Sequence, residues 1–459
     1  MTNVDSLWRD FTVAQQKFDG YLLASTISPE APTSDSARLY NFQRWTNAHS
    51  VQTDLRYQLQ YNPDLRLDKK EASTWIDVFT AYYSFVGRLL AAEEAQNAAK
   101  GEDADWNAVY DSWKEVLNAV YRGYSNNILD SWTIPCLYVV GKYLRIFAIK
   151  ADESTVSHRD SGLAFGELQE EDAFSATSKN ERLEDAARQI NRIFALCLGD
   201  RSPIEESRKW ALYYIANLLF KTYFKLNSIS LSKNILRSLK ASSADMPPLS
   251  AFPRAHQVTF KYYSGVIAFL EEDYAAAEEF LTSAYAMCSR SATRNIDLIL
   301  TYLVPTKMLT SHQLPTQELL QQSPALGRLF APICVAIKRA DLRAFTTAMD
   351  QGEDEFVKRR IYLTLERGRD ILMRNLFRKV FLAGGYEPQK ENEAGPPGRR
   401  TRIQVREFAA ALQLAGAEVD DGAGGIDYDE VECLIANSIY KVRLAGLLEH
   451  LAARNRPSV

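Results

Sequence analysis

Apolar residues recur with helical spacing along nearly every long segment of this 459-residue chain, and this periodicity limits the fold more than any other feature. The alternation of apolar and polar residues that is typical of strands is absent until roughly the last sixty residues. The stretch from Arg208 to Leu226, RKWALYYIANLLFKTYFKL, is apolar almost all round and predicts a helix buried on several sides. The pattern therefore predicts a mainly α-helical protein.

The stretch YYSGVIAFLEEDYAAAEEFLTSA, residues 262–284, indicates how such helices pair. Its small and bulky residues have the spacing of a tetratricopeptide (TPR) helix pair, in which small residues let two helices approach closely: Gly265, Ala277, Leu281 and Ala284. The acidic residues Glu271–Asp273 would form the turn. The motif does not recur clearly at the TPR period of roughly 34 residues. We therefore expect degenerate TPR-like or HEAT-like pairs stacked over residues 181–345.

Polar stretches divide the chain. Residues 151–180 are acidic and rich in serine and threonine, which predicts a flexible loop. Residues 386–400, YEPQKENEAGPPGRR, predict a linker. We therefore divide the chain into an N-terminal helical region (1–150), the acidic loop (151–180), the helical repeats (181–345) and a C-terminal module (346–459) that contains the linker.

Several function classes find no support in the sequence. The cysteines are scattered and never form a CxxC pair, which favours a reducing compartment over a disulfide framework. The five histidines are isolated, and neither an HExxH motif nor a phosphate-binding GxxxxGK[ST] loop occurs. The first residues lack the apolar core of a secretory signal, and no apolar run approaches the roughly 18 residues of a membrane span. We therefore expect an intracellular, non-membrane protein without catalytic activity, metal or cofactor.

A basic segment stands out against the average net charge of −4. Residues Lys358–Arg406 contain thirteen basic and five acidic residues, a net charge of +8. On one helix from Arg360 to Phe381, four arginines would share a stripe: Arg360, Arg367, Arg374 and Arg378. The opposite face would be apolar, with Ile361, Leu365, Leu372 and Leu376. Such a patch indicates a polyanion partner, and nucleic acid, an acidic protein and a solvated surface without a partner remain open.

The C-terminal module has the element order of a winged helix. A short strand is predicted at residues 402–405, a helix ends near Gly416, a second helix begins after an Asp427 cap, and a wing strand would start near Lys441. Acidic residues open the second helix and would oppose phosphate, so we assign nucleic-acid contacts to the basic residues around it. The candidates are Arg360, Arg367, Arg374, Arg378, Lys379, Arg399, Arg400, Arg402, Arg406, Lys441 and Arg443.

Segments across most of the chain resemble the PCI family of COP9 signalosome subunit twelve and its mRNA-export relatives. They are residues 262–288, NIDLILTYLVPTKML, IYLTLERGRDILMRNLFRKVF and DEVECLIANSIYK. The stretches SVQTDLRYQLQYNPDLRLDKKEASTWIDVF and SWTIPCLYVVGKYLRIFAIK resemble the fungal branch of that family. One segment departs from the family pattern, because KVRLAGLL from Lys441 lacks a glycine, a lysine and a tyrosine that relatives usually have there. Contacts made by the wing are therefore expected to differ.

The resemblance implies a PCI domain, which is a helical-repeat stack ending in a winged helix, and a scaffold that is not an enzyme. It implies pairing with a second PCI protein of the Sac or Thp type and with a small acidic protein of the Dss or Sem type. It also implies contact with RNA or DNA through the arginine helix and Lys441. From the resemblance we expect a role in transcription-coupled mRNA export or splicing, in the nucleus, with the cytoplasm as a second location. The branch name supports a second expectation, an accessory subunit of the COP9 signalosome.

Overall fold

A computed structural model of the chain describes residues 5–62, 64–65, 67–98, 104–162, 180–386, 398–417 and 427–442. These residues are mainly helical, which confirms the predicted fold class. The β contact in the part of the chain described is an isolated antiparallel bridge between Tyr386 and Arg399. The contacts between residues divide the chain into two units, 1–263 and 264–459. The division predicted from composition, with boundaries near residues 150, 180 and 345, stays a prediction.

The N-terminal unit is built from helices of very different lengths. They are α1 (Asp5–Lys17), α2 (Gly20–Thr26), α3 (Arg38–Trp45), α4 (Val51–Gln60), α5 (Lys69–Asn97), α6 (Trp106–Ser125), α7 (Pro135–Gly162), α8 (Glu181–Leu198), α9 (Leu212–Lys225), α10 (Ile229–Ala241) and the start of α11 (Arg254–Leu270). The long helices α5, α6 and α7 pack in succession. As predicted, α9 is buried on several sides.

Aromatic side chains fill the core of the N-terminal unit. Trp113 of α6 is fully buried, and its ring lies 4.6 Å from that of Phe85 on α5. Its indole Nε1 donates a hydrogen bond to the carbonyl oxygen of Val140 on α7 at 3.0 Å. Burying an indole in this way costs little because its one polar atom is satisfied. Trp113 therefore fixes α6 against both neighbouring helices.

The helix α7 is longer than the sequence predicted. By length and composition, a helix over residues 131–156 could cross a membrane, but here it packs between α6 and α8 as a core helix. The prediction of a loop from Ala151 was wrong for residues 151–162, which are helical. Asp152 explains the error, because its carboxylate accepts hydrogen bonds from the backbone N–H groups of Arg182 and Leu183 at the start of α8. Residues 163–179 of the predicted loop lie outside the described residues.

The C-terminal unit continues from α11. Its further helices are α12 (Tyr274–Met287), α13 (Thr293–Thr310), α14 (Gln317–Gln322), α15 (Pro324–Arg339), α16 (Leu342–Lys358), α17 (Tyr362–Glu366), α18 (Gly368–Ala383), α19 (Val405–Leu414) and α20 (Tyr428–Val442). Residues 387–397, the centre of the predicted linker, lie outside the described residues.

The TPR-like pair is formed by α11 and α12 as predicted. Gly265 faces Leu281 so closely that a Cβ atom on Gly265 would lie 2.7 Å from the Leu281 Cγ. Leu281 is fully buried. The turn contains Glu272 in the left-handed region, with φ 62°, and Asp273 caps α12 by accepting from the Ala276 N–H at 3.1 Å.

Other helices also end in left-handed residues that are not glycine. Seven such residues follow helices in the part of the chain described: Phe18, Asn127, Asn227, Glu272, His312, Ala340 and Arg360. Glycine has a positive φ at two described positions, Gly385 and Gly416. Gly416 closes α19 where the sequence predicts a helix end.

The winged-helix prediction is confirmed for its two helices. Asp427 caps α20, because its Oδ1 accepts hydrogen bonds from the N–H groups of Asp429 and Glu430. The predicted strand at residues 402–405 was wrong, since residues 401–404 form no strand and α19 begins at Val405. A strand needs a partner, and the pairing described here ends at the single bridge of Arg399 with Tyr386. The predicted wing from Arg443 onward lies outside the described residues.

Candidate nucleic-acid interface

The predicted arginine helix is two helices with a turn before them. Arg360 has φ 59°, follows the end of α16 and is not helical. Arg367 separates α17 from α18. The prediction of one continuous helix from Arg360 was therefore wrong, and the four arginines do not form one helical stripe. The predicted apolar face is confirmed, since all four of its residues are buried: Ile361, Leu365, Leu372 and Leu376.

Arg367 is held by acidic and aromatic neighbours. Its Nη2 lies 3.0 Å from an oxygen of Glu272, and its guanidinium lies over the ring of Tyr274 at 5.7 Å from the centroid. The hydrogen bond that Arg367 donates to the Glu272 carboxylate raises the pKa of Arg367. Glu272 lies in the turn between the two helices of the TPR-like pair, and Tyr274 is the first residue of the second helix, α12. Arg367 thus ties α18 to that pair, although it remains exposed enough to meet a ligand.

Two other predicted residues contact the protein itself. Arg374 is half-buried on α18, where burial and then the charge of Arg378 lower its pKa. Its Nη2 donates to the Asn375 Oδ1 at 3.4 Å. Lys379 donates from Nζ to the carbonyl oxygen of Arg339, the last residue of α15, at 2.7 Å. A cation at a helix C-terminus is favoured by the helix dipole, so Lys379 has a structural partner.

Arg399 and Arg400 order the end of the predicted linker. The Arg399 guanidinium stacks over Tyr386, with 5.1 Å to the ring centroid, and over Phe381 at 5.9 Å. Arg400 forms an ion pair with Glu407 of α19 at 3.5 Å. These contacts fasten the residues before α19 to the end of α18.

The remaining predicted arginines are exposed. They are Arg360, Arg378, Arg402 and Arg406, and within the described residues none of them forms an ion pair. The aromatic pair Phe377 and Phe408, with ring centroids 5.5 Å apart, packs α18 against α19. Arg378 directly follows Phe377, and Arg406 lies two residues before Phe408. These four arginines are therefore the candidates to contact phosphate.

A basic groove beside these residues was not predicted. It has a volume of about 760 Å³ and lies between α15 and α16. Three arginines line it: Arg328, Arg339 and Arg343. The acidic residue in its lining, Asp341, caps α16 by accepting a hydrogen bond from the Ala344 N–H. Apolar residues such as Ala331, Val335 and Ala348 complete the lining.

The groove adjoins the predicted residue Lys379 on one side and the end of α19 on the other. Lys379 binds the backbone of Arg339, as described above. The backbone N–H groups of Leu342 and Arg343 donate to the carbonyl oxygen of Ala415 at the end of α19. Sequence spacing could not reveal this groove, because its cations lie on two helices and outside the +8 window.

The end of α20 adds less than predicted. Lys441 lies in the last turn of α20, and Arg443 lies outside the described residues. The first turn of α20 carries exposed Asp429 and Glu430. These acids would repel phosphate, so we exclude the first turn of α20 from the candidate interface.

The described residues offer no metal site, and burial suppresses the reactivity of two of their thiols. They contain no group of three or more His, Cys, Asp and Glu side chains able to hold a metal ion. Burial raises the pKa of Cys197 to about 12 and that of Cys334 to about 11. Both thiols therefore stay protonated at neutral pH and are weak nucleophiles.

Known proteins resemble this chain along most of its length, although no family model matches it. "Protein CSN12 homolog" of Neurospora crassa is 51% identical over 447 residues, which cover 97% of this chain and 96% of the relative. The Schizosaccharomyces pombe protein of the same name is 36% identical over 84% of this chain and 81% of its own. "PCI domain-containing protein 2" of Xenopus laevis is 31% identical over 77% of this chain and 78% of its own. The chain therefore belongs to the family of CSN12 homologues, a family of PCI-domain proteins.

Proposed function

We propose that this chain is a non-catalytic PCI scaffold that binds RNA or DNA through the arginines of its C-terminal unit. One observation carries the proposal: Arg360, Arg378, Arg402 and Arg406 are exposed cations without ion pairs in the described residues. Unpaired cations on one surface neutralise phosphates and release counterions, which is the main source of affinity for nucleic acid. The groove arginines of α15 and α16 extend the same surface.

The proposal includes two protein partners. The groove between α15 and α16 combines three arginines with an apolar lining, which suits a small acidic protein of the Dss or Sem type with interspersed apolar residues. A second PCI protein of the Sac or Thp type would cover apolar side chains at the ends of α19 and α20. Leu414 is 91% exposed there and Tyr440 is 88% exposed. Exposed apolar residues of this size are typical of protein interfaces.

The cellular role proposed for this assembly is transcription-coupled mRNA processing, splicing or export in the nucleus. The alternative is an accessory, protein-binding subunit of the COP9 signalosome, which is favoured by the name of the CSN12 homologues. In that case the basic surface would meet an acidic protein surface and not nucleic acid. The two roles predict different stoichiometric partners.

Reversing the charge of Arg378 and Arg406 together is expected to weaken oligonucleotide binding at least about tenfold, because two phosphate contacts become repulsive. For single-stranded RNA, the slope of log K against log salt should fall by about 1.4 in magnitude. Fluorescence anisotropy of a labelled oligonucleotide at several salt concentrations measures both quantities. The variant is Arg378→Glu/Arg406→Glu.

The matched control is Arg44→Glu/Arg56→Glu, which makes the same change in net charge at exposed positions of the N-terminal unit. The control should change affinity by less than about threefold. Equal losses in both variants, or unchanged binding in the first, would refute the proposed surface. The Arg378→Glu/Arg406→Glu variant should still co-purify with its protein partners.

Purification of the tagged chain from its native cells separates the two roles. Recovery of a second PCI protein and a small acidic protein in equal amounts supports the mRNA-processing scaffold. Recovery of the core signalosome subunits in equal amounts supports the alternative.

A further inference from the structure

A second basic segment lies in the N-terminal unit. Residues 201–263 contain ten basic and three acidic residues, a net charge of +7, which is close to the +8 of Lys358–Arg406. The chain average of −4 hides this excess. The segment includes α9 and the first residues of α11, so the packing of this unit decides which of its cations come together.

Three cations meet where α7 packs on α9. Arg145 of α7 donates from Nη2 to the carbonyl oxygen of Lys221 on α9 at 3.3 Å. Lys142 lies about one turn before Arg145 on the same helix. Desolvation by the surrounding protein, and then the charges of Arg145 and Lys142, lower the pKa of Lys221. None of the three forms an ion pair within the described residues.

Two buried nitrogen atoms at this place lack partners among the described residues: Nε of Arg145 and Nδ1 of His256. Burial, and then the charge of Lys221, lower the pKa of His256, so its imidazole is neutral at pH 7. Buried polar atoms are nearly always hydrogen-bonded in folded proteins. A polar ligand would satisfy both atoms.

An aromatic cavity adjoins the three cations. It has a volume of about 490 Å³, within the range of small-molecule sites. Its lining includes Tyr21, Tyr138, Tyr143, Tyr214, Lys142 and His256. The rings of Tyr138 and Tyr214 lie 4.1 Å apart, and Tyr21 at the mouth is 65% exposed. Lys142 connects the cavity to the cations, since its Nζ lies 3.1 Å from the Tyr143 hydroxyl.

We propose that this cavity and the adjoining Lys142, Arg145 and Lys221 form a binding site for a nucleoside phosphate. The base would stack on the tyrosines, because every base has an aromatic face and stacking tolerates any sequence. The phosphate would lie among the three cations, where it relieves their repulsion and accepts their hydrogen bonds.

The polar lining favours a nucleotide over a simple anion. Glu30 and the hydroxyl groups of Ser25 and Ser28 also line the cavity. A carboxylate there accepts hydrogen bonds from base amino groups or from ribose hydroxyls. It would repel an anion that entered the cavity itself. The aromatic and acidic part of the cavity therefore takes the nucleoside, and Lys142 on its wall takes the phosphate together with Arg145 and Lys221.

The site uses residues of the N-terminal unit alone, so its test does not depend on the proposed arginine surface. Titration calorimetry of the full chain with 5′-AMP, 5′-UMP, adenosine and inorganic phosphate tests it. We expect both nucleotides to bind at least about tenfold more tightly than adenosine or phosphate, because only they fill both parts of the site. The Arg378→Glu/Arg406→Glu variant should bind 5′-AMP as the unaltered chain does.

Two variants separate the two parts of the site. Lys221→Ala should weaken 5′-AMP binding about tenfold, which is the usual effect of losing a charge-assisted hydrogen bond. Tyr21→Ala should weaken 5′-AMP binding by a similar factor while leaving weak phosphate binding unchanged. The matched control is Lys225→Ala, one turn along α9, since Lys225 already pairs with Glu153 at 3.5 Å.

The outcomes are distinct. A failure of both nucleotides to bind, or equal binding of phosphate and 5′-AMP, would overturn the proposal, as would equal losses in Lys221→Ala and Lys225→Ala. If a hexanucleotide displaces 5′-AMP, the site takes a nucleotide of a nucleic-acid strand. If it does not, the site takes a free mononucleotide.

Discussion

The substitution Asp200→Asn is expected to lower the free energy of unfolding of the N-terminal unit by about 3 kcal/mol at neutral pH, because it leaves a largely buried arginine charge unpaired. The Asp200 side chain is 2% exposed, and its Oδ1 lies 3.0 Å from Nη2 of Arg208. Its Oδ2 accepts from the Ser207 hydroxyl at 2.8 Å and from the Arg208 N–H at 2.7 Å. Urea unfolding followed by tryptophan fluorescence measures the loss. All seven tryptophans lie between Trp8 and Trp210, so the signal reports this unit alone.

The same carboxylate makes stability depend on pH. Burial alone would raise the pKa of Asp200, but the hydrogen bonds from Arg208 and Ser207 outweigh burial and hold the pKa well below its usual value of about 3.9. Because the pKa is lower in the folded chain, the stabilisation is complete above the unfolded value and disappears as pH falls through the folded value. The difference in unfolding free energy between the unaltered chain and Asp200→Asn should therefore shrink below about pH 4.

The control for this prediction is Glu153→Ala, which removes the exposed ion pair with Lys225 in the same unit. Exposed pairs contribute about 0 to 1 kcal/mol, so the control should change the unfolding free energy by less than that. An equal effect of both substitutions would show that the Asp200 network does not hold this unit together.

The substitution Gly20→Ala is expected to cost about 3 kcal/mol of unfolding free energy, because the added methyl group has no room. A Cβ atom at Gly20 would lie 2.0 Å from the carbonyl oxygen of Trp132 and 2.9 Å from Cδ of Pro135. Backbone atoms cannot turn away as a side chain can, so α2 would have to move from the start of α7. Urea unfolding measured by tryptophan fluorescence applies here too.

Gly141→Ala on α7 is the matched control, because its added Cβ would meet only the flexible Cδ1 of Leu218, at 3.1 Å. The gain in helix propensity from alanine offsets that contact, so the change should be less than about 1 kcal/mol. The two glycines also differ in their effect on the tyrosine cavity, which α2 and α7 line together. Only Gly20→Ala should weaken the binding of 5′-AMP, and comparable losses in the two variants would contradict this account.

Local spacing predicted those features that depend on residues close in sequence. The spacing of Gly265 and Leu281 predicted where the two helices of the TPR-like pair cross. The two residues are only sixteen positions apart, on either side of one turn. Periodicity also found the buried face of α17 and α18. It could not find the break at Arg367, because the apolar spacing continues through it from Leu365 to Leu372, even though Gly368 directly follows the break.

Features that join distant residues could not be predicted in this way. Arg145 and Lys221 are 76 residues apart and meet only because α7 packs on α9. The predicted loop at Ala151 failed for a related reason, since the partner of Asp152 is the start of α8, about thirty residues later. A polar composition indicates a loop only when its polar groups have no such partner. The predicted nucleic-acid contacts had the same limit, because Arg367 and Lys379 have partners outside their own segment.

The left-handed residues at the helix ends leave room to stabilise the chain. A left-handed conformation costs most residues about 1 kcal/mol and costs asparagine or glycine less. Asparagine already occupies two of the seven positions, Asn127 and Asn227. At His312 and Ala340 the strain remains. His312 is therefore a natural starting point for engineering a more heat-resistant form of the protein, since its side chain is exposed and lies outside the proposed binding surfaces, whereas Ala340 is buried between two groove-lining residues.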